Sequence, residues 1–361
     1  MSNILLTGSN GFLGAHILRD LIVNTDYSIY CIIRGKSFDD AKNKFDNSIN
    51  YYFSYKNYFE KSNNIKFIYG DIGKENFGLN IEEYNELANT IDIVINSAGL
   101  TKHYGIYEEF HSANVKTVEN IIRFCSDYKS KYLYHVSTMS VSGQFLCEPL
   151  INNEIIFDEK CLHINQQLDK NVYIKTKYIA EEKINEFILS GGMATILRVG
   201  NLTCRFEDGR AQLDVQNNAF TNRFKAFYNI GYIFEELKSL EIEFSPVDKV
   251  SCAIMLIVKN NIAEKVVHLY NDNFMLLEKV LYKVNIYSKQ EFGTKLKKDI
   301  ISNPNIQKYL PYIINDLSQG NSYITNIKND NKNSNELLKK IGFKWPEINE
   351  KYIEFFIKTF C

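Results

Sequence analysis

Proline is scarce in this chain of 361 residues, with five, and tryptophan occurs once. Glycine is modest at 18, while Asn, Ile, Lys and Tyr are abundant, and no function is read from that bias. No CxxC pair occurs among the seven cysteines, Cys31, Cys125, Cys147, Cys161, Cys204, Cys252 and Cys361. An odd number of scattered cysteines in a long chain argues against a disulfide framework or a zinc site, so reduced thiols and no metal are expected. Long apolar runs are missing too. The stretch 253–258 is among the longest, far short of the roughly 20 residues that span a bilayer. The opening MSNILLTGSNG has neither a basic n-region nor a long apolar h-region, so no secretory signal is read and a cytoplasmic location is expected. There is no charge surplus: 42 Lys+Arg face 43 Asp+Glu. A general nucleic-acid binder would need a basic excess to neutralise phosphates.

What is present is a globular composition, 45% hydrophobic and 14% aromatic. The length suits one large domain and a smaller one. Apolar strands are predicted at 3–7, 27–33, 65–69, 91–96, 132–137 and 195–199. Helices are predicted at 11–23, from 38 to about 61, at 115–125 and at 175–190. Strands alternating with helices predict an α/β fold with a Rossmann-type doubly wound parallel sheet, whose strands are buried on both faces and read as continuous apolar runs. Beyond residue 200 the pattern loosens. A helix is expected within 203–236, strand and helix within 241–270, and mostly helix from 273, with a polar loop near 326–336. The expected division is a nucleotide-binding part at 1–202 and 237–272, and a smaller, mainly helical substrate part at 203–236 and 273–361.

The first turn carries Thr7, Gly8, Ser9, Asn10, Gly11, Phe12, Leu13 and Gly14, a GxxGxxG between a strand and a helix. Gly8 and Gly11 permit a tight turn and close approach to a pyrophosphate, and Gly14 lets the helix pack on the strand. Free N–H groups and the helix dipole favour the anion. An acid at the end of the second strand would bind the 2′-hydroxyl of NAD. This chain has Arg34 there, which suits a 2′-phosphate and points to NADPH. A solvated basic loop is the alternative. Lys44 is a second candidate for the phosphate. Asp71 and Ile72, in GDI, end the third strand where adenine would sit, although a turn-capping Asp explains Asp71 equally well. Asn96 and Ala98, in NSAG, end the fourth strand where the backbone passes the cofactor.

The decisive chemistry is Tyr173-Ile174-Lys175-Thr176-Lys177. Spacing of four puts Tyr173 and Lys177 on one helical face. A nearby ammonium would lower the phenol's affinity for its proton from a reference pKa of about 10, making Tyr173 a proton donor or acceptor. The fifth strand ends in Ser137, Thr138, Met139 and Ser140. A hydroxyl there would stabilise a substrate oxyanion. Thr138 is chosen for that role, and Ser137 is expected to face the cofactor. YxxxK alone is frequent by chance, and its company gives it weight.

These residues resemble the extended short-chain dehydrogenase/reductases. More narrowly, LLTGSNGFLGAHIL, the insertion at 36–62 before GDI, KHYGIYEEFHSANVKTVENII, NVYIKTKYIAEE, LRVGNLTCRFEDGRAQLDVQNNAF and SPVDKV resemble the terminal thioester reductase domains of nonribosomal peptide synthetases. The resemblance covers about residues 3–290. It implies NADPH, with Tyr173 and Lys177 bordering the nicotinamide ribose and Gly200, Asn201 and Leu202 wrapping the nicotinamide. It implies a substrate channel lined by His103, Tyr104, Arg205 and Asn218, with surface pairing to Asp208 an equal reading of Arg205. The implied activity is reductive release of a peptidyl or acyl thioester from the phosphopantetheine arm of a carrier domain, giving an aldehyde and, with a second hydride, an alcohol. No serine sits in a phosphopantetheine-attachment setting, so the carrier would be a neighbouring domain of a longer synthetase or a partner in trans. Lys295, Lys297 and Lys298 are candidates to meet it, against a solvated helix face. The competing readings are an extended dehydrogenase acting on a free acyl-CoA or nucleotide sugar, and a dinucleotide sensor without catalysis.

Overall fold

Short runs rich in Ile, Leu and Val, each followed by a Gly- or Asn-containing turn, form the strands of one parallel sheet. A computed structural model describes residues 2–53, 64–102, 105–143, 145–147, 155–169, 171–313 and 327–361. The sheet comprises β1 (Asn3–Thr7), β2 (Ser28–Ile33), β3 (Ile65–Tyr69), β4 (Ile93–Asn96), β5 (Tyr132–Thr138), β6 (Ala194–Val199) and β7 (Val266–Leu269). Their spatial order is β7-β6-β5-β4-β1-β2-β3, and every pairing is parallel. Inner β6 is buried at every position, whereas edge strand β3 has no fully buried residue. Strand order reverses between β1 and β4, and ligands of such sheets bind beyond the carboxyl ends of the strands at that reversal.

Helices cover both faces. On one lie α1 (Phe12–Asn24), α2 (Phe38–Tyr52) and α6 (Val247–Lys259), sharing a core with Ile4, Leu6, Ile95 and Leu197. On the other lie α3 (Ile81–Thr90), α4 (Thr117–Ser126) and α5 (Val172–Leu189), around Leu5, Val94, Leu133 and Ile196. The helix expected at 175–190 starts earlier, at Val172, because the Asn171 side chain caps it by accepting from Ile174 N at 3.2 Å. The helix expected at 115–125 is preceded by a π-helical turn, His111–Lys116. Asn114 in that turn spends its side chain elsewhere. It accepts from Leu100 N at 2.8 Å and donates to Thr176 Oγ1 at 3.1 Å.

A second core gathers Phe224, Phe227, Tyr232, Phe244, Phe292, Tyr352 and Phe356. It is built from the helices Ala219–Ile230, Lys289–Ser302 and Glu350–Lys358 and from strand Tyr232–Phe234 paired with Asn285–Tyr287. One segment departs from the expected division and from the expected loop. Ile327–Asn329 pairs as a strand with Ile155–Phe157, Lys332–Lys340 is a helix, and Leu338, Phe343 and Trp345 join the sheet-side core. The polar sequence conceals this because its partners are distant. Ser334 donates to Glu159 and its oxygen accepts from His268 N of β7 at 2.8 Å. Among the described residues no helix is long and apolar enough to cross a membrane.

Candidate active site

The turn after β1 bends at Gly8, whose φ of +68° favours glycine. A Cβ on Gly8 would lie 2.8 Å from Ala98 N, so this glycine is what lets the turns after β1 and β4 touch. A Cβ on Gly14 would lie 2.0 Å from Gly8 O, so α1 meets the turn backbone to backbone. The first turn of α1 carries no acid, and its N-cap, the exposed Gly11, makes no side-chain cap. Its N–H groups and positive dipole end are left for an anion. A cradle that any side chain would fill, ending in an uncapped helix, fits a dinucleotide pyrophosphate. Asn10 is half-buried, and its carbonyl accepts from Ser48 Oγ of α2 at 2.7 Å. Ser9 and Leu13 are buried, and Phe12 packs against the sheet-side core. The motif therefore presents backbone rather than side chains, with Ser9, Phe12 and Leu13 as its foundation.

Several expected contacts are turned inward. Asn96 is fully buried; it accepts from Thr7 Oγ1 at 2.6 Å, and its Nδ2 lies 3.0 Å from His135 Nδ1. Thr7 Oγ1 in turn accepts from Ala98 N at 3.2 Å. Thr7 and Asn96 thus brace the strand ends, and of the expected pair Asn96 and Ala98 it is the half-buried Ala98 that reaches the surface. Ser137, expected toward the cofactor, donates instead to Glu181. Neighbouring strand residues point to opposite faces, so Ser137 turns away when Thr138 faces the site. Asp71 Oδ1 accepts from Gly73 N at 2.9 Å, the turn-making alternative, and Ile72 packs against the core on the α3 side.

The basic end of β2 loses one of its two candidate cations. Lys44 Nζ lies 2.7 Å from Asp40 Oδ2, which also accepts from Lys36 N at 2.7 Å. Arg34 is exposed and makes no ion pair among the described residues. Asp40 thereby draws Lys44 away from the phosphate role.

Thr138, Tyr173 and Lys177 come together at the carboxyl end of β5. All three are buried. Thr138 caps the following turn, its Oγ1 accepting from Ser140 N at 3.2 Å, and it also hydrogen-bonds the Tyr173 phenol. Burial pushes that phenol up to about 12, with Thr138 pulling the other way. The lowering expected from Lys177 is absent: desolvation of the buried phenol dominates, and Thr138, not Lys177, is the group that opposes it. Tyr173 therefore stays protonated at neutral pH and has a proton to donate. Lys177 Nζ donates to Val136 O at 2.7 Å and lies 3.4 Å from His135 Nε2. Burial brings Lys177 down to about 8, with the Glu181 charge opposing.

Arg198 and Glu181 form a fully buried pair at 2.7 Å behind this centre. Arg198 also donates to Cys161 O at 2.8 Å and sits over the Phe157 ring. Such a pair contributes little net stability, but removing one partner strands the other charge. Gly200, Asn201 and Leu202 follow β6 directly. Asn201 N donates to Glu243 Oε2 at 2.6 Å, and burial raises the Glu243 carboxyl to about 7. Sequence reasoning missed His135, Glu181, Arg198 and Glu243. For His135 and Arg198 the available signal was an imidazole or charged side chain inside an otherwise apolar run, whereas Glu181 and Glu243 stand among other charges and carry no such signal.

Of the four channel residues, His103 and Tyr104 lie outside the described residues. Arg205 pairs with Asp208 at 2.9 Å and donates to Tyr52 O at 3.0 Å, the pairing alternative. Asn218 caps the helix Ala219–Ile230, accepting from Thr221 N at 3.0 Å. Lys295 lies 3.5 Å from Asp299 on its own helix.

A family model described as male sterility protein, an NAD-binding family, matches residues 6–254. The chain belongs to this family. Within it and around it, 98% of the chain is similar to a linear gramicidin synthase of Brevibacillus parabrevis, at 24% identity. L-2-aminoadipate reductase of Saccharomyces cerevisiae is 26% identical over 83% of the chain. The chain spans only 7% of that synthase and 22% of that reductase. Among solved structures, a thiolation-reductase di-domain from an archaeal nonribosomal peptide synthetase superposes with TM-score 0.84 and 28% identity, covering 99% of this chain and 74% of that one. The terminal R domain of the myxalamid pathway superposes at 0.81 with 22% identity, covering 99% and 90%.

Proposed function

We propose that the chain is an NADPH-dependent reductase that releases an acyl or peptidyl group, held as a phosphopantetheine thioester on a carrier domain, as the aldehyde. The observation that carries this is the buried Thr138–Tyr173–Lys177 group beside a glycine cradle open to a dinucleotide, in a chain similar over nearly its whole length to reductase parts of peptide synthetases. Bound NADPH would supply hydride to the thioester carbonyl carbon. The Thr138 and Tyr173 hydroxyls would hydrogen-bond the carbonyl oxygen as it gains charge, and the phenol would give it a proton. Breakdown of the resulting thiohemiacetal frees the carrier thiol. Lys177 would hold the nicotinamide ribose and counter the phenolate left behind. Burial of all three keeps bulk water from competing for these hydrogen bonds.

The test is NADPH oxidation with one acyl group presented on a carrier, on CoA and on a free pantetheine thioester, with the product identified. Turnover is expected to be highest on the carrier and to yield aldehyde. Turnover of a nucleotide sugar with none on any thioester contradicts the reading.

Cofactor choice rests on Arg34. A hydrogen bond to a charged group contributes about 1.5–3 kcal/mol, so Arg34→Asp is expected to weaken NADPH about 10- to 100-fold. NADH affinity should change little. Fluorescence titration with both cofactors measures this, and equal losses refute the phosphate contact.

A further inference from the structure

A line of buried hydrogen bonds runs from the glycine turn to the catalytic lysine, and its polarity follows from its first member. Ala98 N has only a proton to give, so Thr7 Oγ1 accepts there and its own proton goes to Asn96 Oδ1. That places the Asn96 amide nitrogen toward His135 Nδ1, 3.0 Å away, where it donates. A neutral imidazole that accepts at Nδ1 carries its proton on Nε2. His135 Nε2–H then faces Lys177 Nζ at 3.4 Å. The reverse arrangement would leave the Thr7 hydroxyl accepting twice with its own proton unplaced in a fully buried site.

We propose that His135 is a positioning residue for Lys177, its Nε2–H meeting the lysine lone pair so that the uncharged amine is accommodated beside Val136 O. This rests on the reading of Lys177 as part of the reductive centre. An amine donates to Val136 O, accepts from His135 and keeps one N–H for the cofactor side. An ammonium has no lone pair and sets a donor against a donor. The other charged or titratable groups around Lys177 are Glu181 one turn on, itself locked to Arg198 of β6, and the Tyr173 phenol one turn back. Glu181 draws Lys177 toward the ammonium, and His135 opposes it. Burial keeps His135 itself uncharged, well below the usual imidazole range, so the donor persists through neutral pH. Reduction is then expected to fall off on an alkaline limb where Lys177 loses its proton, and His135 sets where that limb lies.

Two substitutions separate the role from mere packing. His135→Gln keeps an amide donor near the Nε2 position, whereas His135→Asn keeps only the acceptor toward Asn96. A third, Asn96→Asp, would draw a proton onto Nδ1 and turn the Nε2 lone pair toward Lys177. Competitive acetylation of the full chain with trace acetic anhydride, read at Lys177 by mass spectrometry across pH, gives its protonation midpoint without any substrate. His135→Asn and Asn96→Asp are expected to raise that midpoint by about one pH unit or more, and His135→Gln to leave it near that of the native protein. The alkaline limb of NADPH-dependent thioester reduction should move with it. Unchanged midpoints in folded, NADPH-binding variants overturn the proposal, as does an equal shift in His135→Gln and His135→Asn. A shifted midpoint in a protein that reduces no thioester would leave the positioning intact and remove the proposed reaction.

Discussion

Tyr173→Phe is expected to lower thioester reduction by about 10²- to 10⁴-fold, the usual contribution of a positioned proton donor. NADPH affinity should stay within a few-fold. The ring of Tyr173 is buried and Phe fills the same space, so the substitution removes the hydroxyl and its bond to Thr138. In the proposed reaction that hydroxyl is the proton source, and burial, holding the phenol near 12, keeps it protonated throughout the neutral range. Thr138 remains as a donor to the developing oxyanion, which accounts for residual turnover. Single-turnover NADPH oxidation gives the chemical step, and cofactor quenching gives binding. Equal losses in both would make Tyr173 a cofactor-packing residue instead.

His16 is the second case, and the readout is stability in acid. It lies on α1 among the rings of Phe12, Tyr52 and Phe53; Nδ1 donates to Phe12 O at 2.7 Å, and buried Nε2 has no hydrogen-bond partner among the described residues. Burial lowers it from 6.5 to about 3. The folded value lies below the unfolded one, so between them the unfolded chain binds a proton that the fold refuses. Stability is therefore complete above pH 6.5 and falls with decreasing pH by about 1.4 kcal/mol per unit down to about pH 3. His268, lowered to about 4 by burial and the Arg198 charge, acts in the same direction. Glu243, raised to about 7, acts against them between pH 7 and 4.5. His16→Phe removes one contribution. Its stability relative to the native protein is expected to rise by about 2–3 kcal/mol between pH 6.5 and 4.5. Urea unfolding at several pH values measures the difference, and a pH-independent difference contradicts the assignment.

Much of this is legible in the residues. Glycines at positions 8, 11 and 14 after an apolar strand announce a cradle, because few other uses exist for three glycines at a strand–helix turn. The four-residue spacing of Tyr173 and Lys177 survives any error in the helix boundary. Directions and partners are harder. Ser137 and Asn96 sit in motifs that read as cofactor contacts, yet each meets a buried partner far along the chain, Glu181 and His135. The lysine expected to activate Tyr173 is itself desolvated, and local spacing carries no measure of burial. Lys44 reads as a free cation although Asp40 precedes it by one helical turn, a pairing the spacing already contains. Of the polar stretch expected as a loop, residues 327–336 carry strand and helix because Phe157 O, Glu159 and His268 N meet them.

The way the two cores are joined limits how they can move against each other. The chain leaves the sheet at β6, returns through α6 and leaves again after β7. The departures are tied by Phe206 N to Asp248 at 2.7 Å, by Asn271 Nδ2 to Pro346 O at 3.0 Å and by Tyr352 to the Cys204 carbonyl at 2.9 Å. A body held by several crossings has no single axis to swing on. Relative motion of the two cores is therefore expected to be a short slide of packed layers, and for the proposed acyl substrate the adjustment would fall to side chains along the seam.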